Sequence, residues 1–598
     1  MSDIHRNRRT STKMMLIAGS GWLRIVLTLL VTLYLTPLLI SELGLALYGV
    51  FMFVAITMLM NAPMRAAVGK TLTRELTAAI SASDARRTRE VFTNGWCIAA
   101  IAAAIAGIVG TVLVVVVPAA FNFSPQHTSY VRLALICEVV LAVEMFLLAP
   151  FKNLYLATHR HMQENANRTI ERCLDLISAL IAFYILRFDP FVAFIVSRVV
   201  MRSLFNIRKA FVISRAVPDA RFTPSMIDRR VMKKLAATGG WAMGNSVSRL
   251  GYYLSDQVLL NLFFGPLYNG IYAIINQLRA YTRMFGGNVS FGVESVSTDL
   301  HSRGQAASTR MLLLATMKFT LAVTLLFGAL IGVFAGPLME AWLGNRLVES
   351  EHELAQVGLT VESAIVFAWV FIGILIPGVV LAEMNVAATN VLYGMGHEKS
   401  FAPALFAGAI LKIALALVLL IGLGAGPMAL AWSTAVVQIL VFGVYFPYLI
   451  RRLTGISLLD QYKVTYLRPL AAVAPVVGIG LWMSLNLGPW RPPAGAPTLS
   501  FELLKVGACM GVLGVLWAGL AFLFVFNAHE RARVLGLAAP VLRRIGLGRF
   551  APKAAPKRGG GKRRAGAGAL SDEAAATASS APGDDPSRAP QAPPSAQP

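Results

Sequence analysis

Cysteine and charge are both scarce in this chain. Four cysteines are spread over 598 residues, at Cys97, Cys137, Cys173 and Cys509, each inside an apolar run and none in a CxxC pair or alternating with histidine. That spacing indicates neither a disulfide scaffold nor a zinc site and leaves packing as their role. Charged residues make up only 14% of the chain, against 56% hydrophobic residues and a mean hydropathy of +0.64. A water-soluble domain of this size does not carry that balance, so the chain is an integral membrane protein. The motifs of soluble enzymes are missing too: there is no GxxxxGKS/T loop, no HExxH and no GxSxG. The Gly559 to Gly561 run before Lys562 lies in a tail of Ala, Pro, Gly and Ser, away from any strand. Nucleotide-driven transport by this chain alone is therefore not expected, and no catalytic residue, metal ligand or cofactor is assigned.

What is present is a succession of apolar windows. A hydrocarbon core of about 30 Å needs roughly 20 apolar residues per helix. Read in such windows, the chain predicts an all-α polytopic membrane protein with about 14 transmembrane helices. They fall at 14–40, 46–69, 92–118, 130–156, 168–186, 189–206, 234–262, 267–290, 311–335, 358–393, 401–423, 427–450, 465–487 and 501–526. The basic head, residues 1–13, precedes a run too long for a signal-peptide core, so the first helix is retained. Alternate connections hold 31 Lys and Arg on one side and three, Arg187, Arg346 and Arg491, on the other. Basic connections stay cytoplasmic, which places both termini there. The net charge of +24 is thereby dispersed over short inner loops, and a nucleic-acid partner is not expected.

After the last window the composition changes. Residues 531–550 space Val534, Leu537, Val541 and Ile545 at near-helical intervals among arginines, interrupted by Pro540, which suggests a short helix on the inner leaflet. Residues 551–598 read as a disordered tail whose basic part, Lys557 to Arg564, is a candidate contact for anionic lipid; a solvated tail that only reinforces topology is the plainer alternative.

The chain also repeats itself. Gly21-Trp22 lines up with Gly240-Trp241, and Tyr48-Gly49 with Tyr268 and Gly270, at offsets of 219 and 220. Leu154-Tyr155 with His159 matches Leu392-Tyr393 with His397 at an offset of 238. Two registers in the same order predict duplicated lobes, with a substrate path between them. The domain plan is a head at 1–13, an N-lobe of six helices at 14–206, a basic linker at 207–233, a C-lobe of six helices at 234–450, two further helices at 451–526 and a cytoplasmic tail at 527–598.

Charges at membrane depth are few, and each is costly unless paired or wet. Arg24 stands alone in the first half, while Arg249, Arg279, Arg283 and Lys412 gather in the second. Arginine offers the paired donors that phosphate oxygens match, so these five are the candidate substrate-binding cations of a central cavity. The plainer alternative is that each is held by a carboxylate, Arg249 by Asp256 for instance. Asp256, Glu383 and Glu144 are candidate ion-coupling groups. Pro377, Gly378 and Gly240 are candidate hinge positions, because proline removes a backbone donor and glycine admits close helix approach.

The opening GSGWLRIVLTLL, the ELGLALYGVF that starts the second helix and the LYLATHRHMQENANRTIE after the fourth resemble the polysaccharide-transport branch of the multidrug/oligosaccharidyl-lipid/polysaccharide (MOP) exporter superfamily. The resemblance covers about residues 14–490. It implies two pseudo-symmetric six-helix lobes around a central cavity plus two C-terminal helices, in the bacterial inner membrane. It further implies a flippase for an undecaprenyl-pyrophosphate-linked oligosaccharide repeat unit in surface or exopolysaccharide biosynthesis, working by alternating access. A glycan polymerase or export machinery is the corresponding protein partner. Two alternatives stand beside it: a cation-coupled multidrug antiporter of the same superfamily, which calls for a more acidic lumen, and a membrane glycan polymerase or ligase, which calls for a large outer catalytic loop.

Overall fold

The computed structural model describes residues 2–57, 62–121, 125–290, 293–496, 500–528, 530 and 531, and among them every regular element is helical. In chain order the α-helices are α1 (Ser2–Thr57), α2 (Ala62–Ser81), α3 (Ala85–Ala120), α4 (Pro125–Leu147), α5 (Ala149–Ala157), α6 (His161–Tyr184), α7 (Pro190–Ala216), α8 (Arg229–Val289) and α9 (Val293–Ser302). They continue as α10 (Ala306–Glu349), α11 (Glu351–Gln356), α12 (Val361–Gly394), α13 (Glu398–Leu417), α14 (Met428–Gln438), α15 (Phe446–Thr454), α16 (Leu458–Gln461), α17 (Arg468–Asn486) and α18 (Phe501–Leu520). Among the described residues ten helices are long and apolar enough to cross a membrane, eleven if α4 and α5, which meet at 47°, form one bent span. Residues 1–526 form one compact unit. Of the separate unit from Asn527 to Pro598, only 527, 528, 530 and 531 are described. The surface helix expected at 531–550 and the lipid-binding tail thus lie outside the described residues, Arg531 apart.

Lipid inverts the usual pattern of residue size. On α3 the branched residues Ile101, Ile105, Ile108, Val112 and Val115 face outward, while Ala99, Ala102, Ala103, Ala106 and Gly110 are buried. Hydrocarbon tails solvate isoleucine as well as a protein core does, so the small residues go where another helix must approach. A Cβ on Gly110 would stand 2.4 Å from the Val139 side chain of α4, which shows how close that approach is.

Two helices are broken at glycines that no other residue replaces easily. α1 is interrupted at Gly44 (φ 81°, ψ 166°) and α8 at Gly265 (φ 83°, ψ −177°), a conformation in which a side chain would clash with its own backbone. Five residues beyond each break comes a second glycine, Gly49 and Gly270. The two cross in contact: a Cβ on Gly49 would lie 2.2 Å from the Pro266 carbonyl oxygen, and one on Gly270 would lie 2.6 Å from that of Leu45. Each glycine thus abuts the carbonyl four residues before the other. Gly44 pairs with Gly265 and Gly49 with Gly270 at a constant spacing of 221 residues, one residue away from the register set by the tyrosines. Around this crossing the Ala46 N–H donates to Glu353 at 3.0 Å, the Trp342 indole N–H to the Leu33 carbonyl at 2.8 Å, and the Gln277 amide to Thr36 at 3.3 Å.

Several boundaries differ from the windows, among them α10, which runs on to Glu349 past a window that ends at 335. α6 starts at His161 and α7 runs on to Ala216, about one to three turns beyond 168–186 and 189–206. α7 begins where expected, with Asp189 capping the Val192 N–H at 3.0 Å and Pro190 in the first turn. The window ends just before Arg208 and Lys209, although the helix runs on through them.

Leucine at Gly49 or at Gly270 is expected to destabilise the protein by about 1–3 kcal/mol each, as overpacking does. Because both act on one contact, the double variant is expected to cost less than the sum of the singles. Thermal unfolding of the detergent-purified variants measures this; full additivity would show that the glycines do not share a contact.

Candidate functional site

A cavity of about 570 Å³ opens among α1, α4, α6, α7 and the second part of α8. Thr28, Thr32 and Thr36 give the α1 wall its polar groups, and Asn276, Gln277 and Tyr281 do so on α8. Apolar residues such as Leu39, Phe51, Met145 and Phe194 make up much of the remaining lining, and charged residues are set among them. Four carboxylates, Glu138, Glu164, Glu171 and Asp175, and five cations, Lys152, Arg172, Arg198, Arg202 and Lys209, line it. The stripe arises from helical spacing: Glu164, Arg168, Glu171, Arg172 and Asp175 recur at intervals that keep one face of α6, and Arg198, Arg202, Asn206 and Lys209 do so on α7.

Asp175 is the centre of the network. Its carboxylate takes a two-pronged bond from Arg202, at 2.7 Å from Nε and 2.6 Å from Nη2, and lies 3.4 Å from Arg198 Nε and 3.5 Å from Arg172 Nη1. Arg198 also bonds Glu138, and Lys209 bonds Glu171. Glu164 accepts from Arg168 at 3.0 Å and faces Lys152 at 3.8 Å. Burial grades along the network: the Asp175 and Arg198 side chains are 5% and 8% exposed, whereas Arg172 is 56% exposed. A three-cation nest around one buried carboxylate is sustainable at membrane depth because each guanidinium fork finds an oxygen and the cavity admits water to the outer members.

A second network is dry. Asp256 of α8 accepts from Lys412 of α13 at 2.8 Å, lies 3.9 Å from Arg279, and takes hydroxyl bonds from Tyr272 at 3.0 Å and Thr434 at 3.2 Å. Lys412 also donates to the Tyr252 carbonyl at 2.7 Å and Ser255 at 2.8 Å. Asp256, Arg279 and Lys412 are all at most 1% exposed.

No protein-family model matches the chain. The uncharacterized membrane protein EpsK of Bacillus subtilis (strain 168) is 23% identical over 215 residues, 36% of this chain and 42% of EpsK, so the match spans less than half of that relative. Among solved structures, the MATE multidrug transporter DinF-BH in complex with R6G matches with a TM-score of 0.57 at 14% identity, over 75% of this chain and 97% of its own. Lipid II flippase MurJ in an inward closed conformation matches with a TM-score of 0.56 at 12% identity, over 85% and 99%. The fold is that of the MOP-superfamily transporters.

Of the five expected cations, the four whose side chains are described, Arg24, Arg279, Arg283 and Lys412, do not line the cavity. The half-buried Arg24 guanidinium lies within electrostatic reach of Glu164 and Arg168. Arg279 and Lys412 are engaged with Asp256. Arg283 is half-buried one turn beyond Arg279. The side chain of Arg249 lies outside the described residues, as does the surrounding of Gly240, where α8 is helical. Glu144 accepts from Ser203 at 2.5 Å, and Glu383 is buried in α12. α12 stays helical through Pro377 and Gly378, and a Cβ on Gly378 would meet Gln438 Oε1 at 2.7 Å, so that glycine serves close packing against α14. Among the described residues no group of three or more His, Cys, Asp or Glu is arranged to hold a metal.

Arg198 and Arg202 lie inside α7 and add helical basic residues to the first half beside Arg24. Their signal was legible as the Arg198, Arg202, Asn206, Lys209 spacing, which a loop would not show.

Asp256→Asn is expected to lower stability by about 3–5 kcal/mol, since it leaves two buried cations without a carboxylate. Combining it with Lys412→Met is expected to recover part of the loss. Thermal unfolding of single and double variants tests this, and a mild effect of Asp256→Asn alone would contradict it.

Proposed function

We propose that this chain is a flippase that carries an undecaprenyl-pyrophosphate-linked oligosaccharide unit across the bacterial inner membrane for surface polysaccharide biosynthesis, by alternating access. The observation that carries the reading is the arginine-rich wall of the cavity, which offers planar paired donors to a phosphorylated headgroup. The shared fold with MurJ, a lipid II flippase, supports it. In this reading the breaks at Gly44 and Gly265 divide α1 and α8, and fourteen spans form two six-helix lobes followed by two C-terminal helices, with both termini cytoplasmic. The Arg172 and Lys152 end of the cavity is then its cytoplasmic mouth.

The headgroup contacts in this state are Arg172, Arg198 and Arg202; Arg24, Arg249 and Arg283 are the candidates for contacts in other states of the cycle, and Arg279 and Lys412 hold Asp256 and act through it. Asp256, Glu383 and Glu144 are the candidates for coupling to a cation gradient, and Gly240, Pro377 and Gly378 for bending. The lipid tail stays in the bilayer, and a glycan polymerase or export assembly receives the product.

A second reading, a cation-coupled multidrug antiporter, is favoured by one observation: the four cavity carboxylates make the lumen less one-sided than the sequence suggested, and DinF-BH shares the fold. Proteoliposomes separate the two. Translocation of a labelled lipid-linked oligosaccharide without chain extension, reduced about tenfold or more by Arg202→Gln, is the expected result. Transport of a cationic dye with no movement of the lipid-linked sugar would contradict the flippase reading, and chain extension would point to an enzyme.

A further inference from the structure

The cavity's five cations are nearly matched by its four carboxylates, and that determines which anions can enter it. Arg172, Arg198 and Arg202 converge on Asp175, and Arg198 is shared with Glu138. Any anion that reaches the guanidinium groups must compete with a carboxylate that is tethered, 5% exposed and held by a two-pronged bond. A singly charged phosphodiester, the headgroup of an ordinary anionic phospholipid, brings one negative charge to replace one. It gains nothing in charge and must also leave water. A diphosphate brings at least two charges and more acceptor oxygens on adjacent centres, so it can engage Arg172 and Arg202 together and still repay the loss of Asp175.

We propose that Asp175 is a resident counter-anion that a diphosphate group must displace from Arg172 and Arg202, and that it thereby sets selectivity for diphosphate-bearing lipids over singly charged phospholipids. The proposal rests on the flippase reading above. The burial gradient gives the order of events: Arg172, 56% exposed, meets the incoming group first, and Arg202, 24% exposed, exchanges its partner second. Arg198, 8% exposed and bonded to Glu138 as well, stays in place and keeps Asp175 from being left without a cation. The exchange moves no proton and breaks no covalent bond. Nothing in the spacing of Asp175 alone marks it for this role; the convergence of side chains from α6 and α7 does.

The test is equilibrium binding to the purified full-length chain. Farnesyl pyrophosphate is compared with short-chain phosphatidylglycerol, and inorganic pyrophosphate serves as the competitor that lacks a lipid. The wild type is expected to prefer farnesyl pyrophosphate by about thirtyfold or more, roughly what one lost charge-assisted bond implies. Asp175→Asn is expected to shrink that ratio to about fivefold or less, chiefly by tighter phosphatidylglycerol binding, and Asp175→Glu to retain it. Arg172→Gln, exposed and safe for folding, is expected to weaken farnesyl pyrophosphate about tenfold and leave phosphatidylglycerol nearly unchanged. Should Asp175→Asn keep the wild-type ratio, or should Arg172→Gln weaken both lipids equally, the counter-anion role is overturned while the flippase reading stands. A wild type that binds no diphosphate more tightly than phosphatidylglycerol removes the flippase reading itself. Inorganic pyrophosphate is expected to compete more weakly than the farnesyl ester; stronger competition would overturn the assignment to a lipid.

Discussion

The contact between Gly49 and Gly270 is the constraint from which most of the architecture follows. In lipid no hydrophobic force drives helices together, so their association depends on how closely backbones can approach. Here two backbones meet at a spacing that no Cβ would tolerate, and each does so just after a glycine break that redirects its helix. The reciprocity of the contact, glycine against the carbonyl four residues before its counterpart, is what a duplicated element looks like when its two copies cross about an approximate two-fold axis. A broken helix followed by a tight crossing fixes position while leaving the remainder of each helix free to diverge, and the cavity occupies the space where α1 and α8 do diverge.

The electrostatics then sort into two kinds of network with different physical roles. The Asp256 group is buried, with Lys412, Tyr272 and Thr434 hydrogen-bonded to one carboxylate and Arg279 3.9 Å from it, and it ties α8 to α13 and α14. The Asp175 group borders a cavity, grades from buried to exposed, and shares its partners among several neighbours. Dry ion pairs are costly to open and hold helices in register. Wet and over-subscribed ones exchange partners at smaller cost, which is the property a transient substrate site requires.

Much of the fold was legible in the sequence, because lipid imposes strong rules. Low charge and long apolar runs gave an all-helical membrane chain, and the similarity between Tyr48-Gly49 and Tyr268 with Gly270 pointed to the two helices that meet at the crossing. The site was less legible, and for specific reasons. Arg198 and Arg202 lie inside the 189–206 window, and a hydropathy reading averages over them without registering the stripe they form with Asn206 and Lys209 at three- and four-residue spacing. Partner choice was the second obscurity. Asp256 takes Lys412, 156 residues away on another helix, and only the packing of α8 against α13 decides that. The breaks at Gly44 and Gly265 were not legible either, because the sequence alone does not distinguish glycines that adopt such a backbone conformation from others.

Everything functional in this account depends on motion of the two halves about the glycine crossing. The most direct measurement is a pair of spin-label distances in proteoliposomes, one between Arg215 at the C-terminal end of α7 and Arg303 just before α10, the other between Arg187 just before α7 and Glu349 at the C-terminal end of α10. The account predicts that, when farnesyl pyrophosphate is added, one distance lengthens as the other shortens. Distances that stay fixed together, or change in the same direction, would contradict it.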